Sequence, residues 1–364
     1  MKKICLLIIS FILFLSFSQT AEASEVYYGD IFSALPEEAS ELLKYMGMDE
    51  DAYDSFGEIS PSKAISTVIG IFKGELSEPL KTAAGCIAVM MVSALIMSFL
   101  PASDGISALG KRITLICVMF ILVSFTGELF TKCASSLLLT EDFMLTLIPI
   151  AGGIVASSGN PSLALSFNTV AFSFAEVVSG FFNGVFPLLS VVMTAVACAA
   201  ALNPVIDLGG VSSTLAKCIN LVMAFVSGIF VAVMSVRGVI AGAADTVTIR
   251  GFRFLIGNSV PVVGSAIGEA LNSVVAGLGL IKNTVGMIGI AAVAVINLPV
   301  LIEVAVWKGV LHFLALSTDI LGISEVKTFV QSLNAVMSVL TGAICFVSFV
   351  FIISIAILIT VGRG

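Results

Sequence analysis

The chain has 364 residues, 58% of them hydrophobic and 11% charged, with a formal net charge of −7. Soluble domains carry about 25% charged residues, so the composition excludes an ordinary soluble protein, and the acidic balance argues against nucleic acid as a partner. Several charge-free stretches reach 18 residues, or roughly 27 Å of helix against a hydrocarbon core of about 30 Å. They lack the period-2 alternation of a membrane barrel. The predicted fold is all-α: a polytopic helical membrane protein.

In chain order, Lys2 and Lys3 precede an apolar stretch from Ile4 to Phe17, and Ala21-Glu22-Ala23 supplies a small-x-small cleavage site. Residues 1–23 therefore read as a cleaved signal peptide, and the mature chain is expected to begin on the far side of the membrane. Residues 24–81 carry twelve acidic and four basic side chains, whereas residues 82–364 carry eleven of each. The first of these is expected to be a small exported helical segment. Leu35-Pro36-Glu37-Glu38 and Ser60-Pro61 mark helix starts within it. After the second start, Ile65, Val68, Ile69 and Phe72 form an apolar stripe at helical spacing. That stripe suits docking on the chain's own membrane domain or on another protein, and its acidic setting disfavours anionic lipid.

Residues 82–364 form the membrane domain, with six to nine spans expected. Clear spans fall at 83–100, 113–130, 185–202, 219–236, 284–302 and within 333–361. Residues 143–182 contain Pro149, Gly152-Gly153 and Gly159-Asn160-Pro161, which suit either two short spans or a re-entrant hairpin. Residues 255–281 carry Asn258, Pro261, Gly264, Gly268, Glu269 and Asn272, and 309–323 hold His312 and Asp319. A degenerate repeat runs through the domain, with units near 83–184, 185–283 and 284–364. Its marks are Pro101, Asp104 and Lys111; Pro204, Asp207 and Lys217; Pro299, Glu303 and Lys308. Each set reads as a turn past a proline-terminated helix, with the acid capping the next helical segment. Repeated hairpins are common in proteins that move material across membranes. Orientation is in conflict: parallel repeats leave Arg237, Arg250 and Arg253 on the exported side, against the positive-inside rule.

Catalytic signatures are missing from the sequence. There is one histidine, and no Gly-x-Ser-x-Gly, His-Glu-x-x-His or phosphate-binding loop. The expectation is a non-enzymatic protein with no catalytic, cofactor-binding or metal-ligating residues, any nucleotide-driven step falling to a separate ATPase subunit. Six scattered cysteines after Cys5 suit packing better than disulfides. Gly180/Gly184, Gly238/Gly242 and Gly264/Gly268 have a spacing that permits close helix approach. Glu128, Glu176 and Glu269 fall in or beside apolar runs, where charge is expensive and often functional. Glu128 has Lys132 four positions on, and Glu176 sits among phenylalanines.

Asp245, Arg250, Arg253-Phe254, Pro261, Gly264, Glu269, Lys282-Asn283 and Gly286 together resemble the stage III sporulation protein AE family. The exported acidic segment and the glycine-rich hydrophobic remainder fit the same family. The resemblance implies a multi-pass protein of the mother-cell membrane around the forespore, its N-terminal segment in the intermembrane space. It also implies partners: the lipid bilayer, other stage III A-operon membrane proteins and a forespore membrane protein, joined in a channel-like apparatus linking the two compartments. The alternative from the residues alone is a self-sufficient secondary transporter built from repeated hairpins.

Overall fold

The structure is a computed structural model that describes residues 35–45, 61–99, 104–202, 208–259 and 264–361. The signal peptide and Pro101, Pro204, Asp207 and Pro261 lie outside the described residues. The described chain is helical: α1 Glu37–Tyr45, α2 Pro61–Glu75, α3 Ser77–Phe99, α4 Asp104–Ser157, α5 Pro161–Gly180, a π-helical turn Phe181–Val185, α6 Phe186–Leu202, α7 Leu208–Ser259, α8 Gly264–Leu321 and α9 Ser324–Val361. Among the described residues, six helical stretches are long and apolar enough to cross a membrane: Ile65–Phe99, Gly105–Ser157, Pro161–Leu202, Gly210–Thr248, Asn283–Leu321 and Ser324–Thr360. This is a multi-pass helical membrane protein.

Two tight turns set the register of the bundle. At the end of α4, Gly159 adopts φ 89°. The amide of Asn160 bonds the Val155 carbonyl at 3.1 Å, and that of Gly159 bonds Ala156 at 3.0 Å. This left-handed glycine stop satisfies the terminal carbonyls, and Pro161 then opens α5. At the end of α8, Gly322 has φ 69° and Ile323 bonds back to Thr318 at 3.2 Å. α4 and the α5–α6 arm therefore run antiparallel, with Asn168 over Gly152 and Phe186 against Phe130 at 5.0 Å between ring centroids. α8 and α9 do the same, with Gly286 under Ile359 and Lys308 bonded to Ser338. α8 and α9 share the largest helix interface and α7 packs on α9. The α8 span is the most buried, and the α7 span the least.

The region 143–182 resolves as one hairpin with its turn at 158–160, and α4 continues through Pro149. Residues 309–323 are the end of α8 and no separate span. The third copy of the proposed repeat does not form a turn: Pro299 lies inside α8, and Glu303 and Lys308 follow in mid-helix. A proline costs one backbone bond inside a helix, but packed neighbours in a membrane domain tolerate it, so it need not end a span. α8 also runs unbroken past residues 283 and 284, where two repeat units were expected to meet. The first copy does place Asp104 at the first position of α4. In the α5–α6 arm the amide of Phe186 bonds the Phe181 carbonyl five residues back. This wide turn directly precedes Pro187, which has no amide to offer, so one bond is lost without breaking the arm.

The apolar stripe before the membrane domain divides. Val68, with Ile71 and Leu76, packs on Leu298, Ile302 and Val306 of α8. Ile65, Ile69 and Phe72 face outward, each close to half exposed. The apolar helical stretch begins at Ile65, so no structural break falls at residue 82.

Candidate functional site

Membrane helices shed charge, so the charges that remain mark where chemistry or strong packing is concentrated. On α4, Glu128, Lys132, Ser136 and Thr140 recur every four residues and make one polar stripe, which faces α8. Lys132 Nζ lies 2.8 Å from Glu303 Oε1 and 3.2 Å from Glu128. The Glu303 side chain is only 10% exposed, whereas Lys132 retains 40%. One turn from Lys132 toward the α4 C-terminus, Ser136 Oγ donates 3.1 Å bonds toward the Ile296 carbonyl and Asn297 Oδ1. Asn297 Nδ2 donates at 2.8 Å to Thr140 Oγ1 and to its own helix at Val293. Next to the ion pair, Phe125 stacks on Trp307 with centroids 3.7 Å apart and planes 1° from parallel. These contacts form a clasp between α4 and α8, fully hydrogen-bonded at its asparagine and ion-paired at its buried carboxylate, which is how polar groups survive in such an interior.

A second polar set joins α7, α8 and α9. Lys308 Nζ donates to Ser338 Oγ at 3.2 Å, and Asn220 Nδ2 donates to the Ser338 carbonyl at 3.3 Å. His312 Nδ1 meets Asn334 Nδ2 one turn further on. Asn220 lies directly over Gly342, where any Cβ would overlap its amide. His312 is thus an interhelical hydrogen-bonding residue, and no group of three or more His, Cys, Asp or Glu side chains is placed to hold a metal among the described residues. Cys86 and Cys133 are buried thiols, while Cys117 and Cys218 are exposed.

The residue with the clearest local role in the family-like segment is Asp245. Its carboxylate, 4% exposed, accepts from the amides of Ser162 at 3.2 Å and Leu163 at 2.9 Å. Pro161 opens α5 and has no N–H of its own, so these amides belong to the second and third residues of that helix, orphan donors that its own Asn160 side chain leaves unbonded. Asp245 supplies the cap from another helix, with its negative charge at the positive end of the α5 dipole. Replacing Asp245 by alanine is expected to cost about 1–2 kcal/mol of stability, with asparagine recovering part of it. Thermal unfolding of the purified protein in detergent checks both.

The other marked residues scatter. Arg250 is exposed near the end of α7. Arg253 and Phe254 lie in α7; Gly264, Glu269 and Lys282 lie in α8. Asn283 Oδ1 is buried without a hydrogen-bond partner. Gly286 is a close-approach site: a Cβ there would collide with Ile359. Gly289 meets Leu147 and Ile355 the same way. Around Gly180 and Gly184, by contrast, the space is open, so that spacing brings no helices together among the described residues. Glu176 is exposed on α5 and close enough to interact with the buried Glu141 of α4. The structure does not bring Glu176 together with Glu303.

Sequence reading missed the Lys132–Glu303 pair, 171 positions apart, and the Asp245 cap. The four-residue rhythm of Glu128, Lys132, Ser136 and Thr140 was the available signal for the first. The second had none, because a cap supplied by another helix leaves no local pattern.

The comparisons agree with the residue-level resemblance. A family profile described as Stage III sporulation protein AE matches residues 48–362. A relative bearing that name, from Bacillus subtilis (strain 168), is 31% identical over 225 residues, covering 61% of this chain and 55% of the relative. The matched stretch thus spans little more than half of that relative's length. No solved structure matches. A multi-pass helical membrane protein, matched by this profile over most of its length and carrying a cap at Asp245 and a close-packed glycine at Gly286 among its family-like residues, belongs to the stage III sporulation protein AE family.

Proposed function

We propose that the protein is a non-enzymatic membrane subunit of a multiprotein channel apparatus joining mother cell and forespore. It works with other stage III A-operon membrane proteins and a forespore membrane protein, any ATPase being a separate subunit. The single observation carrying this reading is the length of the bundle. α9 has 38 residues, and the α5–α6 arm covers Pro161–Leu202, 42 residues. At 1.5 Å per residue these are about 57 Å and 63 Å, against a core of about 30 Å. A 40° tilt, the extreme for such helices, still leaves α9 about 44 Å tall.

The outer face of α7 makes the mismatch concrete. Residues 218–236, between Lys217 and Arg237, are free of charge and about 28 Å long, the height of one bilayer core. Yet Val239, Ile240 and Val247 lie beyond Arg237, each more than 60% exposed. Lipid covers one band of this face, and apolar surface outside it calls for protein. A self-sufficient transporter predicts broken helices around a midplane site. Here α4 and α8 run intact through their prolines. Membranes of sporulating cells, solubilised in mild detergent, test the reading. The protein is expected to migrate in an assembly several times its own mass. Monomeric migration, with ion-coupled solute uptake by the purified protein in liposomes, supports the transporter instead.

In the same reading the segment before the membrane domain lies in the intermembrane space after loss of the signal peptide. Its outward residues Ile65, Ile69 and Phe72 then form a partner surface, while Val68 holds α2 to α8. Ile69→Asp with Phe72→Asp is expected to release partners in co-purification. The unfolding temperature of the isolated protein should stay within about 2 °C, as for exposed substitutions elsewhere. Unchanged co-purification would assign those residues to lipid.

A further inference from the structure

We infer that the slot between α7 and α8, floored by α9, is a binding site for a single acyl chain of a bilayer phospholipid. The cavity has a volume of about 650 Å³, with Ala224, Gly228, Ala294, Ser348, Phe349 and Ile352 among its lining residues. Both α7 and α8 pack on α9 but touch each other little, which leaves the gap. Small residues keep it open: a Cβ placed on Gly228 would meet nothing within 4 Å.

Height, shape and chemistry select the occupant. The slot is built where all three helices are free of charge: α7 between Lys217 and Arg237, α8 between Lys282 and Glu303, and α9 beyond Lys327. That band is the one a hydrocarbon core fits, and Phe349, 55% exposed, stands at the open edge. The lining runs from Ala224 to Val231, Ile290 to Leu301 and Ile344 to Ile353, an average length of about 13 Å at 1.5 Å per residue. An unbranched hydrocarbon chain lies along a slot of this length with its apolar surface against the lining.

Polar solutes find little to bind. Asn297 lines the slot, but its amide is committed to Ser136, Thr140 and Val293. The polar groups still facing the slot are chiefly hydroxyls, and Ser348 Oγ is buried with no hydrogen-bond partner. Each methylene withdrawn into such a lining is favourable, and the chain can enter sideways from the bilayer without its headgroup leaving the interface.

The test uses the full chain reconstituted in phosphatidylglycerol–phosphatidylethanolamine vesicles containing a phospholipid with a mid-chain diazirine. After photolysis, peptides covering Ala224–Val231 and Ile344–Ile353 are expected to be labelled several-fold above the peptide carrying Leu188 and Val191, which are at least as exposed as Phe349 and lie in the charge-free run between Glu176 and Asp207. Gly228→Leu, which fills open space, is expected to abolish that excess while gel filtration stays unchanged. Ala224→Leu serves as the second filling variant should the first not fold. Equal labelling of slot and outer surface, or an excess that survives filling, would overturn the assignment. So would slot peptides shielded by a co-purifying protein, which would give the slot to a partner.

Discussion

Lys132→Met is expected to destabilise the protein by about 3 kcal/mol, the low end of the range for breaking a buried ion pair. The lower figure is appropriate because the Lys132 side chain retains 40% exposure, so part of its charge interaction is already screened. The cost arises at the other partner. Glu303 keeps only 10% of its side-chain surface in contact with the outside, and without the ammonium its carboxylate sits among helices with no counter-charge at hand. Glu128 does not compensate, since it is a second acid beside the same lysine. Glu303→Gln should cost less, because a neutral amide can still accept from Lys132 while the partly exposed lysine finds solvent or Glu128. The double variant Lys132→Met with Glu303→Leu should recover most of the loss, since replacing both members of a buried pair by apolar groups is often neutral or better. Thermal unfolding of the wild type, Lys132→Met, Glu303→Leu and the double variant in one detergent forms a complete cycle. Additive losses in the double variant would show that the pair is not coupled.

The second large effect is expected at Gly286. Leucine there must displace Ile359, which an added Cβ alone would already overlap, and Ile355 stands behind it at 3.4 Å. Inserting bulk into a packed interior costs about 1–3 kcal/mol and occasionally more. The position invites the upper part of that range because Gly289 holds α8 against Leu147 of α4 one turn away, so α8 cannot simply retreat. Loss of monodisperse protein on gel filtration, with a lowered unfolding temperature, is the expected outcome. Gly180→Leu is the control. Nothing lies within 4 Å of its Cβ, and the substitution should leave the isolated protein as stable as the parent.

The contrast between those glycines explains what sequence could and could not supply. Composition and charge-free runs made the membrane helices legible, because the cost of charge in hydrocarbon acts on each segment separately. The turn at Gly159-Asn160-Pro161 was legible for the same reason: a left-handed glycine and a helix-opening proline act locally. Pro299 misled because its meaning depends on whether neighbouring helices support a backbone with a missing bond, and α8 is the most buried span of the bundle. Gly180 and Gly286 look alike in sequence; only the facing helix separates them. The Lys132–Glu303 contact and the Asp245 cap belong to pairs of helices far apart in the chain, and a single sequence carries no record of such pairing. Asp245 was marked through family resemblance, and its role came from geometry.

Trp307 is the only tryptophan in the chain, 3% exposed and stacked on Phe125 one helical turn past Glu303. The protein therefore carries an intrinsic optical probe at the α4–α8 contact. Its emission reports on this one junction with no contribution from another indole, in a protein where twenty-six phenylalanines and four tyrosines emit at shorter wavelength. Opening of the junction would wet or reorient the indole and shift its spectrum, and collisional quenchers would gain access at the same moment. Assembly, lipid exchange and unfolding can thus be followed on unlabelled wild-type protein, each by whether the ring pair stays closed.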